Sequence, residues 1–90
     1  MNKGDLIKAV AEKAEISNSQ ATEAVQAVFD SIEGSLKNND KASFVGFGTF
    51  STSFRKARDG RNPATGATIK IPAKTVVKFK TGKALADSVN

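Results

Sequence analysis

KASFVGFGTFSTSF, residues 41–54, is the stretch at which the chain changes its period. Upstream of Lys41, apolar residues recur three and four positions apart; downstream they alternate with polar ones. The first spacing lines one face of a helix and the second one face of a strand. A chain that makes this change once, near its middle, has a helical half and a sheet half, which is an α+β fold. KASFV reads as a short strand. Gly46 and Gly48 bracket Phe47, which predicts a tight backbone turn there. TFSTSFRKAR continues as a longer strand with Phe50 and Phe54 on one alternating face.

Upstream, Leu6, Ile7, Val10, Ala11 and Ala14 keep helical spacing. Asn2 is placed to cap the first turn, with Asp5 three residues on to answer it, and Lys13 suits the negative end of the helix dipole. The spacing predicts a helix over residues 3–14. Ser17 and Gln20 make a second capping pair, and the set Ala21, Ala24, Val25, Val28, Phe29, Ile32 and Leu36 carries a longer helix up to Asn38-Asn39-Asp40. Two helices joined by so few residues form a hairpin whose apolar stripe needs a cover.

Downstream, ATIKIP alternates, with Ile69 and Ile71 opposed to Thr68 and Lys70. TVVKFK puts Val77 and Phe79 on one face and Val76, Lys78 and Lys80 on the other. Thr81-Gly82 leads into a closing helix, KALADSVN, with Ala84, Leu85 and Val89 apolar. The predicted order is two helices, three or four antiparallel strands and one helix, in a single domain over 1–90 without linker or repeat. Residues 55–68 contain no Leu, Ile, Val or Phe. With no apolar face to bury, that segment is expected to leave the body as a two-stranded arm of marginal order, since an isolated hairpin is barely stable in water. Arg55, Lys56, Arg58, Arg61 and Lys70 would line it, with Asp59 as its one acid. RNPATG, residues 61–66, forms its tip: proline and glycine fit a turn, arginine and asparagine a nucleic-acid surface.

The charge is split between the halves. Residues 1–40 hold four Lys and seven acids, a net −3, whereas residues 41–90 hold seven Lys, three Arg and two acids, a net +8. Such a split points to a polyanion-binding half on a near-neutral support. The chain has 90 residues, 39% of them apolar, with no Cys and no His. This rules out thiol chemistry, disulfides, the usual zinc sites and histidine acid–base catalysis, and no paired carboxylates stand in for them, so an enzyme is not expected. A core this small is thin and invites a partner subunit. MNKGDLIKAV is charged throughout, which does not fit a signal peptide, and no apolar run approaches a membrane span. The expectation is a soluble intracellular protein without cofactor, metal, membrane or small-molecule substrate.

GFGTF at 46–50, GRNPATG at 60–66 and FKTGKAL at 79–85 together resemble the HU/IHF family of bacterial nucleoid DNA-bending proteins, and the resemblance runs in order along the whole chain. It is closer to HU than to IHF, because the chain is short and lacks terminal extensions. The resemblance implies an intertwined dimer: residues 1–40 as a helical dimerisation base, 41–82 as a three-stranded antiparallel sheet with a protruding β-ribbon arm, and 83–90 as a short C-terminal helix. It implies duplex DNA as partner, held in the minor groove and bent by a proline wedge at each arm tip, with little sequence specificity. A site-specific bender of the IHF type is the alternative. Preference for bent, nicked or junction DNA, a homodimer and a cytoplasmic, nucleoid location follow from the same resemblance.

Carried over position by position, the implied DNA contacts are Arg55, Arg58, Arg61, Asn62 and Pro63 on the arm. Lys80 and Lys83 lie on the saddle and at the start of the last helix, Gly46 offers its amide, and Lys3 is a flank contact. Phe47, Phe50 and Phe79 are expected in the dimer core, and Phe54 is either a further dimer contact or an exposed apolar spot. Several residues depart from the family pattern. Asp59 puts a negative charge on the arm, expected to repel phosphate; Ser53, Ala67 and Ala86 replace common lysines; Lys56 and Lys70 are basic where relatives often are not; Gln26 stands where many relatives carry an acid facing Lys3.

Overall fold

The computed structural model describes all residues, Met1–Asn90. Helix α1 spans Lys3–Ala14 and helix α2 spans Asn18–Lys37. Both start in complete capping boxes: Asp5 N–H donates to Asn2 Oδ1 at 2.9 Å and Gln20 N–H to Ser17 Oγ at 3.1 Å, with the reciprocal bonds present. Such caps satisfy the free N–H groups of a first turn. Helix α1 ends at Glu15, which adopts a left-handed conformation (φ 54°) and donates its N–H to Ala11 C=O. The chain therefore reverses in three residues, and α2 packs back on α1 through Ala11, Ala21 and Val25, all buried.

Strands β1 (Ala42–Phe44), β2 (Gly48–Arg55) and β5 (Lys74–Thr81) make an antiparallel sheet in the order β1-β2-β5. Strands β3 (Arg58–Arg61) and β4 (Thr68–Ile71) pair only with each other, as a separate ribbon. Lys56-Ala57 and Pro72-Ala73 are the two links from sheet to ribbon. Pro72 has no N–H to offer a ladder, so pairing breaks there. Helix α3 spans Lys83–Ser88 and closes the fold.

The register assigns the faces. Phe50 stands opposite Phe79, Thr52 opposite Val77 and Phe54 opposite Thr75, all on the face turned to α2. On the reverse face Thr49 pairs with Lys80, Ser51 with Lys78, Ser53 with Val76 and Arg55 with Lys74. One face is thus apolar and aromatic, the other basic and hydroxylated, as strand alternation requires.

Phe47 lies in the β1–β2 turn, as its flanking glycines predict, and its ring reaches Phe79, with centroids 5.7 Å apart. One expectation is corrected: the ribbon is not devoid of apolar residues, because Ile69 and Ile71 belong to β4. The ribbon begins and ends three residues later than its composition indicated, because Pro72 and not the last polar residue sets where pairing with the body resumes.

The single chain is thinly packed. Its accessible surface is 7294 Å², against about 5,000 Å² for a compact monomer of this mass. Its radius of gyration is 18.7 Å, against about 12 Å for a compact domain of this length. The buried apolar side chains are Ala11, Ala21, Val25 and Ala42 alone, while Val28 (57%), Phe47 (51%) and Val77 (61%) remain exposed. No helix is long and apolar enough to cross a membrane.

Candidate nucleic-acid interface

The ribbon tip is built by its own side chains. Asn62 Oδ1 accepts from Ala64 N–H at 2.9 Å, an Asx turn that wraps Pro63. Gly66 N–H donates to Asn62 C=O at 2.7 Å, Asn62 N–H to Ala67 C=O at 2.8 Å, and Ala67 N–H to Thr65 Oγ1 at 3.2 Å. Gly66 closes this turn at φ 71°, a conformation that L side chains adopt only at a cost. The result is a hydrogen-bonded loop with Pro63 exposed at its end and Asn62 Oδ1 turned into it. The family resemblance makes Asn62 a ligand contact; its side-chain oxygen also shapes the tip, while its Nδ2 makes no hydrogen bond within the chain. The spacing Asn62-Pro63-Ala64 carries that signal.

Arg55, Arg58 and Arg61 follow one another along the ribbon and its root, all exposed. Arg58 stands opposite Ile71 and Arg61 opposite Thr68, so the two project from different ribbon faces. A duplex lying along the ribbon would meet guanidinium groups on both sides of it.

A second group gathers where β5 runs into α3. Gly82 N–H donates to Phe47 C=O at 2.8 Å and Leu85 N–H to Gly46 C=O at 2.9 Å. These bonds clamp the start of α3 onto the β1–β2 turn. A Cβ on Gly82 would lie 2.7 Å from the Gly46 carbonyl carbon, so the two backbones approach as closely as glycine permits. Gly46, Lys80 and Lys83 come to one corner of the basic sheet face, and the Gly46 N–H makes no hydrogen bond within the chain. Lys74 and Lys78 continue the same face toward the ribbon.

Lys3 stands apart on α1. Its ammonium donates to Gln26 Oε1 of α2, and Gln26 Nε2 donates to Asp30 Oδ1 at 2.7 Å. The amide thus takes the place that the resemblance gives to a carboxylate, and contacts Lys3 without neutralising it. The nine expected residues therefore fall into three groups: ribbon, sheet corner and α1 flank. No cluster of His, Cys, Asp and Glu is arranged to hold a metal ion.

A basic ribbon with a proline tip, a basic sheet face and an uncovered apolar face are the features to compare with known proteins. The profile of the "Bacterial DNA-binding protein" family matches residues 1–90. The chain belongs to this family. Among its relatives, DNA-binding protein HU 1 of Bacillus subtilis (strain 168) is 56% identical over 89 residues, covering 99% of this chain and 97% of the other. DNA-binding protein HRm of Rhizobium meliloti (strain 1021) is 54% identical over 90 residues, with both chains covered in full. Among solved structures, the Anabaena HU–DNA cocrystal structure superposes with a TM-score of 0.89 at 44% identity, covering 99% of this chain and 97% of that one. HU from Thermotoga maritima superposes with a TM-score of 0.70 at 28% identity, both chains covered in full. The helical hairpin, antiparallel sheet and short last helix of this chain are the HU fold.

Proposed function

We propose that the protein is a histone-like architectural protein of the bacterial nucleoid, a homodimer that binds duplex DNA in the minor groove with little sequence preference and bends it. The observation that carries this reading is Pro63, exposed on a self-built turn at the end of a ribbon lined by Arg58 and Arg61, with Arg55 at its root. Proline is compact, apolar and rigid, so its insertion between stacked bases loses little entropy. Apolar wedging is the shared mode of minor-groove architectural proteins, HU among them, at a few kcal/mol per unstacked step. Phosphate contacts from Arg and Lys offset that cost. The Anabaena relative whose structure holds DNA supports the ligand class.

Arg61 and Pro63 act at the groove, while Arg55 and Arg58 hold backbone phosphates along the ribbon. Gly46, Lys80 and Lys83 hold phosphate at the sheet corner, with Lys3 as a weaker contact at the flank. No helix presents an Arg-, Asn- and Gln-rich face to a major groove, so base readout is weak. Duplexes that are already nicked, kinked or branched are favoured, because their deformation is already made.

The homodimer is supported by the groove of about 680 Å³ between α2 and the sheet, lined by Phe29, Ile32, Leu36, Phe50 and Val77. In a single chain this surface is open to water, and the exposed area above a compact monomer is about 2,000 Å².

The test is Pro63→Ala in a fluorescence-energy-transfer bend assay on intact duplex. The bend decreases clearly while affinity for straight duplex hardly changes, because charged contacts supply most of it. Affinity for nicked duplex falls less than the bend of intact duplex. A variant that bends DNA as fully as the parent would leave Pro63 as a turn residue only.

A further inference from the structure

Asp59 remains unexplained by a phosphate-binding ribbon. The register puts it directly opposite Lys70, and the next pair on that face is Arg61 with Thr68. The other ribbon face carries Ile69 opposite Gly60 and Ile71 opposite Arg58. A Cβ on Gly60 would lie 2.7 Å from Ile71 Cδ1, so the isoleucine side chain lies across the glycine backbone. This seating pins the register, because a slip of one residue would bring a side chain beneath Ile71. With the register held, Asp59 and Lys70 stand opposite each other across the ladder; their charged groups lie more than 4 Å apart, within reach of a rotamer change, and neither is in ion-pair contact with any other residue, since Lys37–Glu33 on α2 is the chain's sole salt bridge.

We infer that Asp59 and Lys70 are a cross-strand charge pair that positions the ribbon for DNA, and that Lys70 serves Asp59 rather than a phosphate. The inference rests on the ribbon being the DNA-binding arm. Opposite charges directly across an antiparallel pair attract, and like charges there repel. On a body strand the effect would be minor. On a four-residue ribbon it is not, because two strands alone sit near the limit of stability. The pair also adds no net charge to the ribbon, so the arginines alone set its pull on DNA. A carboxylate on a DNA-binding arm is thereby reconciled with binding: its charge is spent on Lys70.

The experiment compares Asp59→Lys, Lys70→Asp and the double exchange Asp59→Lys/Lys70→Asp in the full-length protein. Amide hydrogen exchange is read at residues 58–61 and 68–71, and duplex affinity is read by mobility shift. Each single variant speeds ribbon exchange by about two- to five-fold, the range for one cross-strand charge pair. The double exchange returns it to the parental rate and restores affinity. Asp59→Lys gains less affinity than the negative charge removed and the positive charge added would supply, because the ribbon it charges is less ordered.

If Asp59 only repels phosphate, Asp59→Lys tightens binding with exchange unchanged, and the inference fails. If Lys70 is itself a phosphate contact, Lys70→Asp weakens binding with exchange unchanged and the double exchange does not restore it, and the inference fails. Should the parent not bind duplex DNA at all, the functional reading falls while the exchange data still decide the charge pair.

Discussion

Gly48 has no room for a side chain. A Cβ there would lie 2.4 Å from the Phe79 ring and 2.7 Å from the Lys80 carbonyl oxygen. Phe50 packs on the other side of the ring, at a centroid separation of 4.6 Å, and the Lys80 carbonyl belongs to the paired strand and cannot swing away. Gly48→Ala is therefore expected to cost about 1–3 kcal/mol, the usual penalty for overpacking. A denaturant titration checks it; an unchanged midpoint would mean the aromatic cluster is looser than this packing. Phe54 is the opposite case. It lies on the aromatic face of the sheet but is 66% exposed, beyond the last residue α2 covers. Arg61→Ala removes one guanidinium from the ribbon. Binding to every duplex weakens, and the slope of log affinity against log salt flattens by about one unit for each phosphate no longer neutralised. A salt titration beside the Pro63→Ala bend assay separates the two residues, since the proline changes the bend and the arginine the slope.

At the scale of elements, the ribbon is held by three devices: the Asx turn at its tip, the Ile71 side chain over Gly60, and the facing charges of Asp59 and Lys70. The first controls the wedge. Asn62→Ala abolishes the bond from Ala64 N–H, so Pro63 is presented from a floppier loop. The expected outcome is a smaller DNA bend than the parent, with affinity for straight duplex nearly kept. The same bend assay reads it. If Asn62→Ala lowers affinity as strongly as Arg61→Ala, the asparagine contacts DNA directly and its role in the turn is secondary. The helices have no such dependence on one bond, because each carries a reciprocal cap and they share a buried seam at Ala11, Ala21 and Val25.

At the scale of the whole molecule, one chain leaves an apolar face open. Phe29, Phe47, Val77 and Phe79 are each more than two-fifths exposed, and together they edge or continue the groove between α2 and the sheet. A second chain covering them makes folding and association one process. The melting temperature then rises with protein concentration, because mass action favours the associated state. Calorimetry over a dilution series, with mass by light scattering, tests this; a concentration-independent melt at monomer mass would rule the dimer out. Phe47→Ala extends the test. A fully buried phenyl costs about 3–5 kcal/mol to truncate, which this half-exposed ring reaches only with a partner over it.

Much of this was legible along the chain. Both capping boxes, the helix spans, the change of period at Lys41 and the turn chemistry of RNPATG depend on residues a few positions apart, and short-range rules govern them. The departure of a ribbon from the body followed from the lack of apolar residues over 55–68. Composition alone could not say that Ile69 and Ile71 leave with it, that Asn62 folds back on its own turn, or that Asp59 stands opposite Lys70. Those facts depend on which residue of one strand lies opposite which residue of another. Pairing is set by the break at Pro72 and by the space above Gly60, and both act between residues about ten positions apart. The exposed aromatic face carries the same lesson further. Alternation assigned Phe50 and Phe79 to a core, but a single chain has too little surface to close it, so only the packed structure reveals how much of that face is left open.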